Sequence, residues 1–227
     1  MSTKPLKIMI TGCSGVGKTT LAKWISETCE IPFISGSYSD LVPSTREETH
    51  KSMITKDPDV IRKQDMDLVR GRSVSLRDST TYVTDRCYID SMAYWINKLS
   101  HHTTTCDTNA FLDICNTLLS TQCNMVIYIP YTGLYHTEWA MEDNRKRVLN
   151  EWYQSQITAI MDYLLREKLN HKVVVNTKEY SYGTINSGSV VIPILTIKTT
   201  NFHKRTAAFQ AFTKIQEYMV SIERNDK

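Results

Sequence analysis

Short apolar runs alternate along this chain with stretches in which apolar residues recur every three or four positions. The first run, 6–11, leads into a glycine-rich turn, after which Leu21, Ala22 and Ile25 follow at helical spacing. Further strands are predicted at 31–34, 80–84, 125–129, 173–175 and 190–197, and further helices at 44–53, 58–78, 87–99, 111–118, 138–170 and 206–222. This alternation predicts a three-layer α/β/α fold around a mainly parallel sheet of about five strands.

The sequence gives no signal for a domain boundary, so residues 1–227 are interpreted as one domain. Two polar spans interrupt the alternation and are interpreted as insertions, at about 35–56 and about 131–147. The apolar run at 173–175 predicts a strand covered on both faces. Residues 177–189 are predicted to form a polar loop, and 177–227 a C-terminal extension without an assigned role.

Composition excludes some classes of protein. The chain has 27 Lys and Arg residues against 24 Asp and Glu, a formal net charge of +3, which excludes the bulk electrostatics of a polybasic nucleic-acid or membrane binder. No apolar run approaches the roughly 20 residues that cross a bilayer, so no membrane partner is expected. The six cysteines lack zinc-type spacing, and the first residues lack a secretory apolar stretch, which predicts reduced thiols and a cytoplasmic protein.

Residues 12–20, Gly-Cys-Ser-Gly-Val-Gly-Lys-Thr-Thr, match the pattern G-x-x-x-x-G-K-[ST] between a predicted strand and a predicted helix. In that context the glycines let backbone N–H groups point at an anion, and the helix N-terminus adds partial positive charge. Lys18 is expected to reach the β- and γ-phosphates, and the Thr19 hydroxyl to ligate Mg²⁺. The pattern therefore predicts ATP and Mg²⁺ as cofactors, bound by Gly12, Cys13, Ser14, Gly15, Val16, Gly17, Lys18, Thr19 and Thr20.

A second motif, Asp85-Arg86, follows the strand predicted at 80–84. The carboxyl ends of parallel strands meet at one edge of the sheet, so Asp85 is expected to face the same crevice as the glycine-rich turn. There Asp85 would hold Mg²⁺ through water or accept a proton from an attacking hydroxyl. Arg86 offers a planar fork for a phosphate or another acceptor group. The alternative is a structural Asp–Arg pair that closes the strand end.

Residues 85–95, Asp-Arg-Cys-Tyr-Ile-Asp-Ser-Met-Ala-Tyr-Trp, resemble the Asp-Arg-x…Ser-x-Ala-Tyr signature of thymidylate kinase. They also resemble the matching segment of P-loop deoxynucleoside kinases and nicotinamide riboside kinase-like proteins. Together with the glycine-rich turn, the resemblance covers roughly 6–175 and implies the P-loop kinase fold. It departs from thymidylate kinases at 130–133, and 35–40 does not match a standard base pocket.

The resemblance also implies residue roles. Asp85 and Arg86 would act at the acceptor, and 35–56 would be the acceptor-binding insertion. A helical lid at about 131–147 would close over the transferred phosphate, with Arg145 and Arg147 as its catalytic arginines. The resemblance further suggests a phage-encoded protein that works in the host cytoplasm.

Three functions remain open from the sequence. The first is transfer of the ATP γ-phosphate to a nucleoside or a (deoxy)nucleoside monophosphate. The second is a nucleic-acid kinase acting on a DNA 5′ end or a hydroxymethylated base such as 5-hydroxymethyluracil, with arginines of the 58–78 helix along the phosphates and Tyr38, Tyr88 or Trp139 as stacking platforms. The third is a regulatory NTPase or GTPase switch, although the sequence lacks Asn-Lys-x-Asp and Asp-x-x-Gly motifs. The oligomeric state is left open.

Overall fold

The computed structural model describes residues 5–41, 56–133 and 151–225. The helix predicted at 44–53 and most of the predicted lid lie outside these described residues. In chain order the elements are β1 (Lys7–Thr11), α1 (Lys18–Cys29), β2 (Phe33–Ile34), α2 (Tyr38–Leu41), α3 (Pro58–Arg77), β3 (Tyr82–Thr84), α4 (Tyr88–Leu99), α5 (Thr105–Gln122), β4 (Met125–Tyr128), α6 (Glu151–Tyr163), which continues as a π-helical turn (Leu164–Lys168), β5 (Lys172–Asn176), β6 (Tyr180–Ser187), β7 (Val190–Ile197) and α7 (Phe202–Asn225).

One sheet of seven strands, in the order β2-β3-β1-β4-β7-β6-β5, forms the centre of the molecule. The first five strands in that order are parallel, and β6 and β5 extend the sheet antiparallel to their neighbours. The predicted three-layer α/β fold around a mainly parallel sheet is therefore confirmed. The strand count differs, because a hairpin edge is added to the five-stranded parallel part.

The helices form the two outer layers. Helix α1 packs on β1, β2 and β3 and also touches α7, which packs on β7. Helix α4 packs against α3, α5 and α6. Strands β1 and β4 run between the layers, and Ile8, Met9, Ile10, Val126 and Ile127 have no exposed surface. Burial of both faces explains why the middle of each of these central strands is an uninterrupted apolar run.

Local capping fixes where two of the helices begin. Asp57 caps α3 by accepting a hydrogen bond from the backbone N–H of Asp59 at 2.7 Å, and Pro58 follows at the first helical position. Helix α4 begins after Cys87, whose backbone N–H donates to the Asp90 carboxylate at 2.6 Å. This capping box makes the chain turn sharply after β3, which leaves Asp85 in the turn between β3 and α4.

The strand predicted at 173–175 forms, as β5, but its predicted burial on both faces and the polar loop predicted at 177–189 are wrong. Val173 and Val174 are 52% and 66% exposed, because β5 is the outer strand of the sheet and is not covered on both faces. The predicted polar loop contains β6, which pairs along its whole length with β7. The inward positions of β6 are Ser181, Gly183, Ile185 and Ser187, so this strand lacks an alternating apolar pattern.

Helix boundaries also differ from those predicted. Helix α5 begins at Thr105, six residues before its predicted start, because Thr104 forms a capping box with Asp107. Helix α7 begins at Phe202, four residues before its predicted start. Among the described residues, no helix combines the length and the apolar character that crossing a membrane requires.

Candidate active site

The glycine-rich turn joins the end of β1 to the start of α1 at the carboxyl edge of the sheet. Gly12, Gly15 and Gly17 have φ angles of 146°, 83° and 84°, which side chains of L-residues rarely allow. A Cβ atom on Gly12 would also lie 2.4 Å from the carbonyl oxygen of Ile129, which follows β4. The tight curl of this turn therefore depends on glycine, as the sequence pattern predicts.

The side chains of Cys13 and Val16 are 1% and 0% exposed and point into the core. Any contribution of these two residues to a ligand in the turn is thus made by their backbone. Burial raises the pKa of the Cys13 thiol, which keeps it protonated at neutral pH. Ser14 differs, because its hydroxyl lies 3.2 Å from the Tyr94 hydroxyl of α4. Thr20 is exposed in the first turn of α1.

Lys18, the first residue of α1, is folded back onto the turn. Its side-chain ammonium donates hydrogen bonds of 2.6 Å to the carbonyl oxygens of Gly12 and Cys13, and the residue is 5% exposed. Burial, assisted by the positive charge of Arg86, lowers the Lys18 pKa from 10.5 to about 7. Burial therefore disfavours the protonated form of Lys18, which the negative charge of a polyphosphate would stabilise.

Asp85 lies beside the glycine-rich turn because β3 and β1 are adjacent parallel strands. One carboxylate oxygen accepts a 2.6 Å hydrogen bond from the Thr19 hydroxyl, and the other accepts a 3.0 Å bond from the backbone N–H of Gly36. The two sequence motifs thus meet at a direct contact. Asp85 is 6% exposed whereas Thr19 is exposed, so this contact lies where the buried carboxylate meets the open side of the crevice.

The oxygen atoms of Thr19 and Asp85 are hard donors, which are the type that Mg²⁺ prefers. Within the described parts of the chain, no group of three or more His, Cys, Asp or Glu side chains is arranged to hold a metal ion. Mg²⁺ at a nucleotide usually has one or two protein oxygens as ligands, and water and phosphate oxygens complete its coordination. The residues present therefore fit Mg²⁺ bound together with a nucleotide.

Arg86 points toward α4, where its guanidinium lies 3.9 Å from the Asp90 carboxylate. Burial, the largest single effect, lowers the pKa of the Arg86 guanidinium, but the combined effects of Asp90, Tyr94 and Asp85 outweigh burial and raise this pKa. The side chain keeps 27% of its surface exposed, so it can still reach a ligand. Arg86 is therefore held as a permanent cation at the edge of the crevice.

Several residues around the site were not predicted. Gln154 of α6 donates a 2.7 Å hydrogen bond to the Ser14 carbonyl oxygen, and Arg205 of α7 donates a 2.7 Å bond to the Val16 carbonyl oxygen. Asp90 could have been found as the acidic residue of a capping box, and Tyr94 belongs to the 85–95 signature. The sequence carries no comparable signal for Gln154 or Arg205.

Among the described residues, the predicted stacking platform Tyr88 is not brought to this crevice. Arg145 and Arg147, and also Trp139, lie outside the described residues. Tyr88 is 0% exposed, and its hydroxyl bonds to Gln122 at the far end of α5. Tyr88 is therefore packed inside the protein and has no free ring face for a base.

Comparisons with known proteins agree with this geometry. A family model described as an AAA domain matches residues 7–181, whereas no curated protein matches the chain. Among solved structures, a deoxyadenosine kinase from M. mycoides, with products dCMP and a flexible dCDP bound, has a TM-score of 0.62 at 14% identity and covers 93% of this chain and 100% of its own. A shikimate kinase from Acinetobacter baumannii in complex with shikimate has a TM-score of 0.52 at 15% identity, with 95% and 96% covered. The YorR protein from Bacillus subtilis in complex with phosphorylated GDP has a TM-score of 0.50 at 12% identity, with 96% and 97% covered. These likenesses show a shared three-layer fold of the P-loop kinase type.

Proposed function

This chain belongs to the AAA domain family, and we propose that it is a kinase that transfers the γ-phosphate of ATP to a nucleoside or a nucleoside monophosphate. The observation that carries the proposal is the 2.6 Å hydrogen bond between Thr19 and Asp85. It joins a phosphate-binding turn to a carboxylate on the neighbouring strand. A carboxylate at this place also helps to hold Mg²⁺ in nucleotide hydrolases, so the feature that favours transfer is the adjacent Arg86, which offers a planar fork for an acceptor group.

The donor half of the site would bind the triphosphate of ATP. Backbone N–H groups of 12–17 and the N-terminus of α1 would surround the β- and γ-phosphates. Lys18 would leave its two carbonyl partners and move to the phosphates, whose negative charge restores its preference for the protonated form. Thr19 and Asp85 would hold Mg²⁺, which neutralises charge on the phosphate oxygens.

The acceptor half of the site would be formed by Asp85 and Arg86. An oxygen of the acceptor, which is a hydroxyl of a nucleoside or a phosphate oxygen of a monophosphate, would attack the γ-phosphorus; the bond from that phosphorus to the bridging oxygen would break, and ADP would leave. Where the acceptor is a hydroxyl, Asp85 would orient it and take its proton, and the backbone N–H of Gly36 donates a hydrogen bond to the carboxylate. Arg86 would hold a phosphate or another polar group of the acceptor.

The charges on α3 favour a small acceptor over a nucleic acid. Arg62 pairs with Asp59 at 3.2 Å, Arg70 pairs with Asp67 at 3.6 Å, and Arg72 is 2% exposed. A helix that follows a phosphate backbone needs free surface cations. These three arginines are paired or buried, which leaves Lys63 and Arg77 as the exposed cations of α3 outside these pairs. The two relatives with bound dCMP and phosphorylated GDP are also consistent with a nucleotide-sized acceptor.

The test is transfer of radiolabelled γ-phosphate from ATP to a panel of nucleosides, nucleoside monophosphates and DNA with normal or hydroxymethylated bases. With a nucleoside or mononucleotide acceptor, Asp85→Asn should lose roughly 100-fold or more of the rate, because it removes a catalytic base and a metal ligand. Asp67→Asn makes the same change on the exposed surface of α3 and should keep full activity. Full activity of Asp85→Asn, or ATP hydrolysis that no acceptor stimulates, would overturn the proposal, and transfer to DNA alone would replace it by the nucleic-acid alternative.

A further inference from the structure

A buried arginine from the last helix reaches the phosphate-binding turn. Arg205 is the fourth residue of α7 and is 4% exposed. Its Nη1 atom donates a 2.7 Å hydrogen bond to the Val16 carbonyl oxygen, and its Nε atom donates a 2.8 Å bond to the Thr199 carbonyl oxygen. The guanidinium therefore links the turn after β1 to the segment after β7, across 189 residues of sequence.

The bond to Val16 fixes the orientation of one peptide plane in the turn. The Val16 carbonyl and the Gly17 N–H belong to the same peptide unit, and the chain has no cis peptide among the described residues. In a trans peptide these two groups point in opposite directions. Because Arg205 holds the carbonyl toward α7, the Gly17 N–H points away from α7.

Gly17 is shaped to permit this contact. It has a φ angle of 84°, and a Cβ atom at this position would lie 2.8 Å from Nη1 of Arg205. Glycine is therefore required both for the curl of the backbone and for the approach of the guanidinium. The fit between the two residues indicates a specific arrangement of the turn rather than incidental surface packing.

Helix α7 does not depend on Arg205 for its docking. Phe202 and Phe209 contact the Trp24 ring of α1 edge to face, with centroid distances of 6.5 Å and 6.0 Å, and Phe212 has no exposed surface. Apolar burial of this size is enough to hold a helix on its neighbour. A change at Arg205 should therefore act mainly on the turn.

We propose that Arg205 is a positioning residue, which holds the Val16–Gly17 peptide so that the Gly17 N–H faces the phosphates of the bound nucleotide. The proposal rests on the proposed function only in requiring that the turn binds a polyphosphate. Without Arg205 the peptide is free to rotate, and one donor to the phosphates is lost for part of the time. The effect should therefore appear in binding of the polyphosphate and not in binding of the acceptor.

The experiment measures binding of the fluorescent analogue mant-ATP with Mg²⁺, and its displacement by inorganic tripolyphosphate, to the full chain. Arg205→Met should weaken both by roughly tenfold or more, the effect of losing one charge-assisted hydrogen bond, while the acceptor KM stays unchanged. Lys204→Met is the matched control. It removes one positive charge from the adjacent position, which pairs with Glu179 and does not touch the turn, and should bind as the wild type does.

The outcomes separate this proposal from the proposed function. If the wild type binds mant-ATP and Arg205→Met binds it with the same affinity, the role of Arg205 is overturned and the proposed function is not. This holds even if Arg205→Met is less stable in urea. No mant-ATP binding by the folded wild type overturns both. If Arg205→Met does not fold, Arg205→Lys is used in its place. A single ammonium cannot make both hydrogen bonds of the guanidinium, so Arg205→Lys should bind mant-ATP at least about threefold more weakly than the wild type does.

Discussion

Lys18 is a buried ammonium group, so its removal is expected to change how the stability of the fold depends on pH. The perturbation is Lys18→Met, which keeps an unbranched side chain of similar length and removes the charge. In the wild type, burial and the nearby Arg86 lower the Lys18 pKa to about 7 in the folded protein, against 10.5 for the exposed residue. Between these two values the unfolded chain binds more protons at this residue than the folded chain does. Raising the pH in that interval therefore stabilises the fold.

The size of the effect follows from the two pKa values of Lys18. Burial of Lys18 lowers the unfolding free energy by about 4 kcal/mol at pH 7 and by about 2 kcal/mol at pH 9. The cost falls with rising pH because Lys18 of the unfolded chain carries a proton less often, so that less proton release accompanies folding. Between pH 7 and pH 9, the unfolding free energy of the wild type should therefore rise by about 2 kcal/mol more than that of Lys18→Met does. Loss of the hydrogen bonds to Gly12 and Cys13 changes the difference in unfolding free energy between the two proteins by the same amount at every pH. The dependence of that difference on pH therefore measures the effect of the buried charge.

The assay is urea unfolding followed by tryptophan fluorescence, at pH 7, 8 and 9 without nucleotide. All other titrating groups are common to both proteins, so their contributions cancel in the difference. Lys23→Met, on the exposed side of the same helix, is the matched control, and its difference from the wild type should stay level with pH. A difference for Lys18→Met that also stays level would refute the reasoning, because the buried ammonium would then carry no electrostatic penalty.

Two further substitutions test the supports of the site and the fold. A Cβ atom at Gly36 would lie 2.5 Å from Cβ of Arg86, so Gly36→Ala must displace the Asp-Arg segment. The rate of phosphoryl transfer should fall about tenfold or more, because a shift of about 1 Å at reacting groups has an effect of this size. Gly188→Ala, with open space around it, should leave the transfer rate unchanged in the same assay. Asp57→Ala removes the cap of α3 and should lower the unfolding free energy in urea by about 1 kcal/mol, whereas Asp59→Ala, an exposed neighbour, should change it by only a few tenths of a kcal/mol.

The parts of the fold that the sequence predicts well are those in which local pattern and tertiary environment agree. Strands β1 and β4 are continuous apolar runs because both of their faces are buried, and α3 begins at Asp57-Pro58 because a cap and a proline act within one turn. The glycine-rich turn is equally local, since its shape needs glycine at fixed positions. In each case the residues that determine the structure are neighbours in the chain.

The hairpin edge formed by β5, β6 and β7 could not be predicted in this way. The run at 173–175 has the apolar composition of a covered strand, but its exposure depends on its place at the end of the sheet order, which is a property of the whole topology. Strand β6 buries small or polar residues, and at Gly183 an added Cβ would lie 1.9 Å from the Lys172 carbonyl oxygen. Backbone pairing and close approach, rather than apolar periodicity, thus define this strand.

The same distinction separates the site residues. Lys18, Thr19, Asp85 and Arg86 belong to contiguous motifs, whereas Gln154 and Arg205 act on the phosphate-binding turn only through backbone carbonyl oxygens. Any sequence offers a carbonyl oxygen, so such contacts leave no trace in the motif that they support.

Gln154 and Arg205 approach the phosphate-binding turn from opposite helical layers, since α6 packs against α4 and α7 packs against α1. By binding the carbonyls of Ser14 and Val16, they direct the N–H groups of the next residues away from themselves, because each peptide unit is planar and trans. The orientation of donors in the turn is therefore set by the two layers together. A turn of the same sequence cut out of this fold would lack that orientation, which is why the phosphate-binding motif needs the surrounding sheet and helices to become a site.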